Sequence, residues 1–124
     1  MKKIALVEDN ADSRLVVRVI LGKHFEITTY EDGPQALEGF VHNKPDLILL
    51  DISLPKMDGL EVLRCVRAVP QLRALPVFAL TAYEMPEDRA RLLAAGFDDY
   101  ITKPILDVQD FVSRIQHALE GVAS

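Results

Sequence analysis

The chain has 124 residues, 49% hydrophobic and 27% charged, proportions that fit one globular domain and exclude a disordered, collagen-like or coiled-coil chain. A domain of this length buries roughly two thirds of its unfolded surface and needs no metal or disulfide staple; its one cysteine, Cys65, cannot form an internal disulfide. Fourteen Lys and Arg against nineteen Asp and Glu leave a net charge of −5, a poor basis for holding nucleic acid through its phosphates.

The start, MKKIALVEDN, has four apolar residues before two acids and does not form a signal peptide. No apolar run approaches the ~18 residues that span a bilayer. A cytoplasmic single domain over residues 1–124 is therefore expected.

The first strand is expected at Ile4–Val7, followed by helical spacing over 12–23 with Val16, Val17, Ile20 and Leu21 on its apolar side. A second strand, Phe25–Tyr30, precedes Gly33-Pro34, a helix opening, and a helix over 34–42 carrying Ala36, Leu37, Phe40 and Val41. The third strand, Leu47–Leu50, is continuously apolar, as is the fourth, Val77–Leu80, which marks strands covered on both faces. Between them a helix over 59–69 presents Leu60, Leu63, Val66 and Val69, with Asp58 as N-cap and Glu61 three residues on. A fourth helix opens at Pro86 and stops at Gly96, a short strand holds Tyr100-Ile101, and the last helix runs from Leu106 to Glu120. Its apolar residues are Val108, Phe111, Val112, Ile115 and Leu119. Five β-α units in succession predict an α/β, doubly wound parallel sheet with helices on both faces. Doubly wound sheets adopt more than one strand order; the flavodoxin-like order 2-1-3-4-5 is a common one and is taken as the expectation here, without the residues themselves fixing it.

The polar residues are informative by position. Glu8 and Asp9 follow the first strand, Asp51 the third, Thr81 the fourth, and Lys103 the fifth by two residues. The C-terminal ends of parallel strands share one edge, where ligands bind at the point of strand-order reversal. Three carboxylates, a hydroxyl and an ammonium thus converge on one crevice, with Glu31 and Asp32 kept away on an edge strand. Crowded carboxylates call for a cation, and Mg²⁺ suits oxygen ligands. Lys103 and Thr81 supply a charge and a hydrogen bond for phosphoryl oxygens, and a central carboxylate can itself attack phosphorus. Singly, each residue has a plainer reading as a cap, a turn or a structural hydroxyl; jointly, those readings fail.

These motifs, LVEDN at 6–10, DLILLDISLPKMDG at 46–59, ALTA at 79–82 and GFDDYITKP at 96–104, resemble a two-component response-regulator receiver domain of the single-domain chemotaxis-regulator type. The resemblance implies Asp51 as phospho-acceptor, Glu8 and Asp9 as the acidic metal pair, Lys103 as the phosphoryl-binding lysine, and Thr81 and Tyr100 as switch residues. It also implies the Ser53 carbonyl as a metal ligand and a cis bond at Lys103-Pro104. Glu8 departs from the commoner pair of aspartates, and its longer side chain would reach the metal through water. Positions 53 and 83 flank the acceptor, so Ser53 and the bulky Tyr83 are expected to tune the lifetime of the phosphorylated state. The partner implied is a sensor histidine kinase or histidine phosphotransfer protein, and Leu15 and Val19, pointing away from the core side of the first helix, are expected to dock it, with Arg14 and Arg18 beside them. Output would be a contact with a downstream protein, with no direct DNA binding and no membrane. The chain itself is expected to be a monomer or a weak phosphorylation-dependent dimer through Asp98, Asp99, Arg89, Arg91 and Arg114.

Three other functions would leave different residues at these positions. An FMN-binding domain would place a Gly/Ser/Thr-rich loop after the first strand, where Glu8-Asp9-Asn10-Ala11-Asp12 would repel a phosphate. An aspartate-nucleophile phosphohydrolase would carry a second acid two residues past Asp51, where Ser53 stands. A phosphorylation-dead module would lack Asp51, Lys103 or the acidic pair, and none of these is missing. The alternative kept is a receiver excised from a larger hybrid kinase or multidomain regulator, although Met1 just before the first strand favours a natural start. His24, His42 and His117 share no ligand spacing, and Cys65 reads as a packing residue.

Overall fold

The computed structural model describes residues 1–82 and 86–123, with residues 86–87 and 121–123 described in backbone alone. Its elements alternate as β1 (Lys3–Val7), α1 (Ala11–Leu21), β2 (Glu26–Tyr30), α2 (Gly33–His42), β3 (Leu47–Asp51), α3 (Gly59–Ala68), β4 (Val77–Thr81), α4 (Pro86–Ala95), β5 (Asp99–Thr102) and α5 (Val108–Ala123). All strand pairs are parallel, as the alternating units predict, and their order is β2-β1-β3-β4-β5, the flavodoxin-like order taken as the expectation.

Side chains alternate across a strand, so each buried strand feeds two cores. Ala5, Val7, Ile48, Leu50, Val77 and Ala79 face α2, α3 and α4, where Phe40, Val62, Val66 and Leu92 meet them. Ile4, Leu6, Leu47, Leu49, Phe78 and Leu80 face α1 and α5, where Val17, Leu21, Phe111 and Ile115 meet them. The chain crosses one face through α1, from β1 to β2, and the other through α2, α3 and α4, from β2 to β3 and on to β5, so the order reverses between β1 and β3. The crevice at that reversal is where Glu8, Asp9 and Asp51 emerge.

Asn10, Asp32 and Asp58 cap α1, α2 and α3, each accepting a backbone N–H three residues on. Asp107 does the same for Asp110, which starts α5 two residues later than the sequence pattern indicates and leaves Leu106 88% exposed outside it.

Several apolar positions expected in the core lie elsewhere. Val16 is 49% exposed, because at ~100° per residue it stands about a quarter-turn from Val17 while Leu21 stands close to it. The core needs only the strip centred on Val17 and Leu21, and Ile20 packs at its margin. Val41, one residue from buried Phe40, is exposed for the same reason, whereas Val69 is the extended residue after α3 and Val108 the first residue of α5, both exposed at helix ends; in α3 the buried set includes Val62 while Leu60 packs only partly. His24, His42 and His117 are exposed, and Cys65 is half-buried.

Candidate functional site

Each carboxylate of the crevice is placed by a strand end. Hydrophobic strands β1 and β3 run side by side through the core, Val7 in register with Leu50, so Glu8 and Asp51 are the next residues of neighbouring strands. Both are buried, 1% and 3% exposed, while Asp9 is exposed. Oxygens of Glu8, Asp9 and Asp51 lie within 4.8 Å of one another.

Lys103, one residue past β5, reaches the same point. Its Nζ donates to Asp51 Oδ2 at 3.1 Å and to Glu8 Oε2 at 3.2 Å. Its backbone N–H donates to the Thr81 carbonyl at 2.8 Å, and the Lys103–Pro104 bond is cis, as the resemblance implies. The Ser53 N–H donates to Asp51 Oδ1 at 2.8 Å, so each Asp51 oxygen has a donor. Thr81 is buried at the end of β4, beside this cluster in the sheet order.

The electrostatics follow from that packing. Burial, then the hydrogen bond and charge of Asp51, push the Glu8 carboxyl up from 4.5 to about 7 against the opposing pull of Lys103. Burial would raise Asp51 too, but the Glu8 hydrogen bond, the Ser53 N–H and Lys103 together hold it below its ordinary value. Burial alone would lower the Lys103 ammonium, and its two carboxylate partners instead raise it. Below about pH 7 the pair Glu8–Asp51 therefore carries one charge, on Asp51, rather than two. The donor set, three carboxylates served by one ammonium, is what a hard divalent cation with oxygen ligands requires.

The loop from β3 to α3 is held tightly around Asp51. The Gly59 N–H donates to the Ile52 carbonyl at 3.2 Å, and a Cβ on Gly59 would lie 2.6 Å from Ile52 Cα. Only glycine admits that approach. Lys56, at φ 66°, pairs with buried Asp32 at 3.2 Å, a contact the sequence reading missed by setting Asp32 aside on the edge strand. The Gln35 N–H, then Lys56, lower the Asp32 carboxyl against its burial.

The remaining predicted residues are arranged as follows. Ser53 is exposed beside Asp51. Tyr100 is half-buried, with the Arg89 guanidinium 5.4 Å over its ring and Arg114 donating to its carbonyl. Leu15 and Val19 are both 62% exposed, away from Val17 and Leu21, and Val16 extends the same apolar stripe. Asp98 and Asp99, offered above for a dimer, pair within the chain with Arg67 and Arg114, and Arg91 pairs with Asp88. Tyr83 lies outside the described residues. Arg14, read from sequence only as an edge of the docking stripe, donates to the Glu8 carbonyl at 2.9 Å. Nothing in its spacing signals that contact, because the partner is a backbone oxygen.

Comparison with known proteins follows the same lines. Residues 4–116 match the family model described as response regulator receiver domain. The chain is 37% identical over 119 residues to the polar-differentiation response regulator DivK of Brucella anthropi, covering 95% of this chain and 96% of DivK. It is 39% identical over 110 residues to response regulator PleD of Caulobacter vibrioides, covering 88% of this chain but only 24% of PleD, so it spans about a quarter of that relative. The receiver domain of a sensor histidine kinase from Pseudomonas aeruginosa PAO1, solved with a magnesium ion coordinated in the active-site cleft, is similar at TM-score 0.86 and 33% identity over 96% of this chain and 98% of that one. Chemotaxis protein CheY4 of Vibrio cholerae matches at TM-score 0.86 and 28% identity, over 95% of this chain and 98% of that one. Among the described residues no helix is long and apolar enough to cross a membrane.

Proposed function

The chain belongs to the response regulator receiver domain family of two-component signalling, and from that membership we propose that Asp51 accepts a phosphoryl group from a phosphohistidine on a partner protein. The observation that carries this is the position of Asp51, buried at the strand-order reversal, with Lys103 Nζ at 3.1 Å and two further carboxylates beside it. An Asp51 oxygen forms the new P–O bond as the P–N bond breaks, and the imidazole nitrogen keeps the electron pair and takes up a proton. Asp51 is held ionised, so it needs no base to act as nucleophile. Lys103 would then turn from the Asp51 carboxylate to a phosphoryl oxygen as a point charge, and the Thr81 hydroxyl would donate to another.

Asp9, Asp51, the Ser53 carbonyl and, through water, Glu8 would hold Mg²⁺. When bound, Mg²⁺ offsets the charge of the carboxylates and of the transferring phosphoryl group. The chain acts as a switch and not as an enzyme on other substrates, catalysing only its own phosphotransfer and slow self-dephosphorylation. Thr81 and Tyr100 report the new state by shifting the population of surface conformations. A sensor histidine kinase or phosphotransfer protein docks on Leu15 and Val19, and output is a protein contact, with no direct DNA binding.

The test is phosphorylation from a small phosphodonor and from a partner kinase, followed by hydroxylamine, which cleaves acyl phosphates. Label that is lost on hydroxylamine, absent in Asp51→Asn and absent in EDTA is the expected result. Label that persists in Asp51→Asn overturns the assignment, and equal labelling in EDTA overturns the metal requirement.

A further inference from the structure

Glu8 is pinned through its backbone from two elements. Its N–H donates to the Tyr30 carbonyl at the end of β2, at 3.0 Å, and its own carbonyl accepts from Arg14 Nη1 at 2.9 Å. Arg14 stands one turn into α1, its side chain 19% exposed, and its other terminal nitrogen lies 3.6 Å from Glu31 Oε1. The two-residue step from Glu8 to the cap Asn10 is therefore fixed at both ends: Asn10 closes on Ser13 and Arg14 by hydrogen bonds of 2.9 and 3.0 Å. Between those anchors sits Asp9, the exposed member of the carboxylate cluster.

We propose that Arg14 is a positioning residue for the cation site: by holding the Glu8 carbonyl it sets the direction of the Glu8-Asp9 peptide and hence where both carboxylates point. The inference rests on the metal reading proposed above. Two effects of the guanidinium oppose each other. Its hydrogen bond orients the ligands, while its positive charge repels a cation. Glu31 offsets much of that charge, so orientation prevails and loss of Arg14 weakens binding. Partners that orient metal ligands from outside the ligand set change affinity by roughly 10–100-fold in well-built sites; with one backbone bond at stake, the lower end applies.

The experiment is calorimetric titration of the whole chain with Mg²⁺ at fixed pH and ionic strength, at a temperature where each metal-free variant is folded. Arg14→Met is expected to weaken Mg²⁺ binding about tenfold. Arg14→Lys keeps the charge but cannot hold Glu8 and Glu31 together, and is expected to weaken binding severalfold. Lys23→Met removes the same charge just beyond the far end of α1 and is expected to leave the Kd unchanged. Unchanged or tighter binding in Arg14→Met, or a matching loss in Lys23→Met, overturns the inference, the former because charge and not orientation would be the Arg14 effect. If Arg14→Met does not fold, an unchanged Kd in Arg14→Lys overturns it equally. Failure of the unaltered chain to bind Mg²⁺ would instead overturn the metal reading itself, which separates the two.

Discussion

A buried carboxyl held near 7 makes the stability of the metal-free protein depend on pH in an unusual direction. Glu8 titrates at about 7 in the folded chain against 4.5 for a free side chain. Between those values the folded state binds more protons than the unfolded state, so stability falls as pH rises from about 4.5 and levels off above about 7. At 1.36 kcal/mol per tenfold change in proton affinity, the loss is about 3 kcal/mol. In a domain of this size that lowers the melting temperature by about 10 °C. The two other shifted groups of the site act outside this window. Asp51, lowered, loses its stabilising contribution only as pH falls below 3.8, and Lys103, raised, loses its own only above 10.5. Urea unfolding in EDTA from pH 5 to 8.5 measures the slope directly. Glu8→Gln, which keeps the side chain's shape and cannot titrate, should remove the decline. Millimolar Mg²⁺ should also flatten it, since a cation favours the ionised carboxylates. A Glu8→Gln profile parallel to that of the unaltered chain would refute the account of Glu8.

Other expectations follow from single contacts. Gly59→Ala places a Cβ 2.6 Å from Ile52 Cα, so the Asp51 loop must shift; a loss of about 1–3 kcal/mol in urea and slower phosphorylation are expected, and native values in both would show that the loop yields freely. Arg67 donates to the carbonyls of Arg73, Leu75 and Gly96 and to Asp98, joining three segments at the edge opposite the site, so Arg67→Met should lower stability by about 2 kcal/mol while Mg²⁺ affinity stays the same. Leu15→Asp with Val19→Lys should slow transfer from the cognate partner about tenfold, ~1.4 kcal/mol, and leave labelling by a small phosphodonor unaltered; equal transfer would leave both as ordinary exposed residues. Tyr83→Ala is expected to shorten the phosphorylated lifetime, and an unchanged or longer decay would remove Tyr83 from that role.

The alternation of strands and helices, and the polar residues that follow the strands, were legible in the sequence because both are written in local patterns, whereas the strand order was not. Continuous apolar runs such as Leu47–Leu50 mark strands covered on two faces, and caps such as Asp58 mark where helices begin. Once the strands are parallel, the residues after them must share one edge, so Glu8, Asp9, Asp51, Thr81 and Lys103 could be gathered without coordinates. What the sequence left open depends on how far one element leans on another. Val16 is apolar and next to Val17, yet only packing decides that the buried strip of α1 is centred on Val17 and Leu21 and leaves Val16, about a quarter-turn away, exposed. Arg14 meets a carbonyl and Lys56 meets a capping aspartate, contacts that no periodicity encodes because they join residues through loop geometry. The charge balance of the crevice belongs to the same class: the raised Glu8 carboxyl arises from burial and from the closeness of Asp51, and both exist only when β1 and β3 lie side by side.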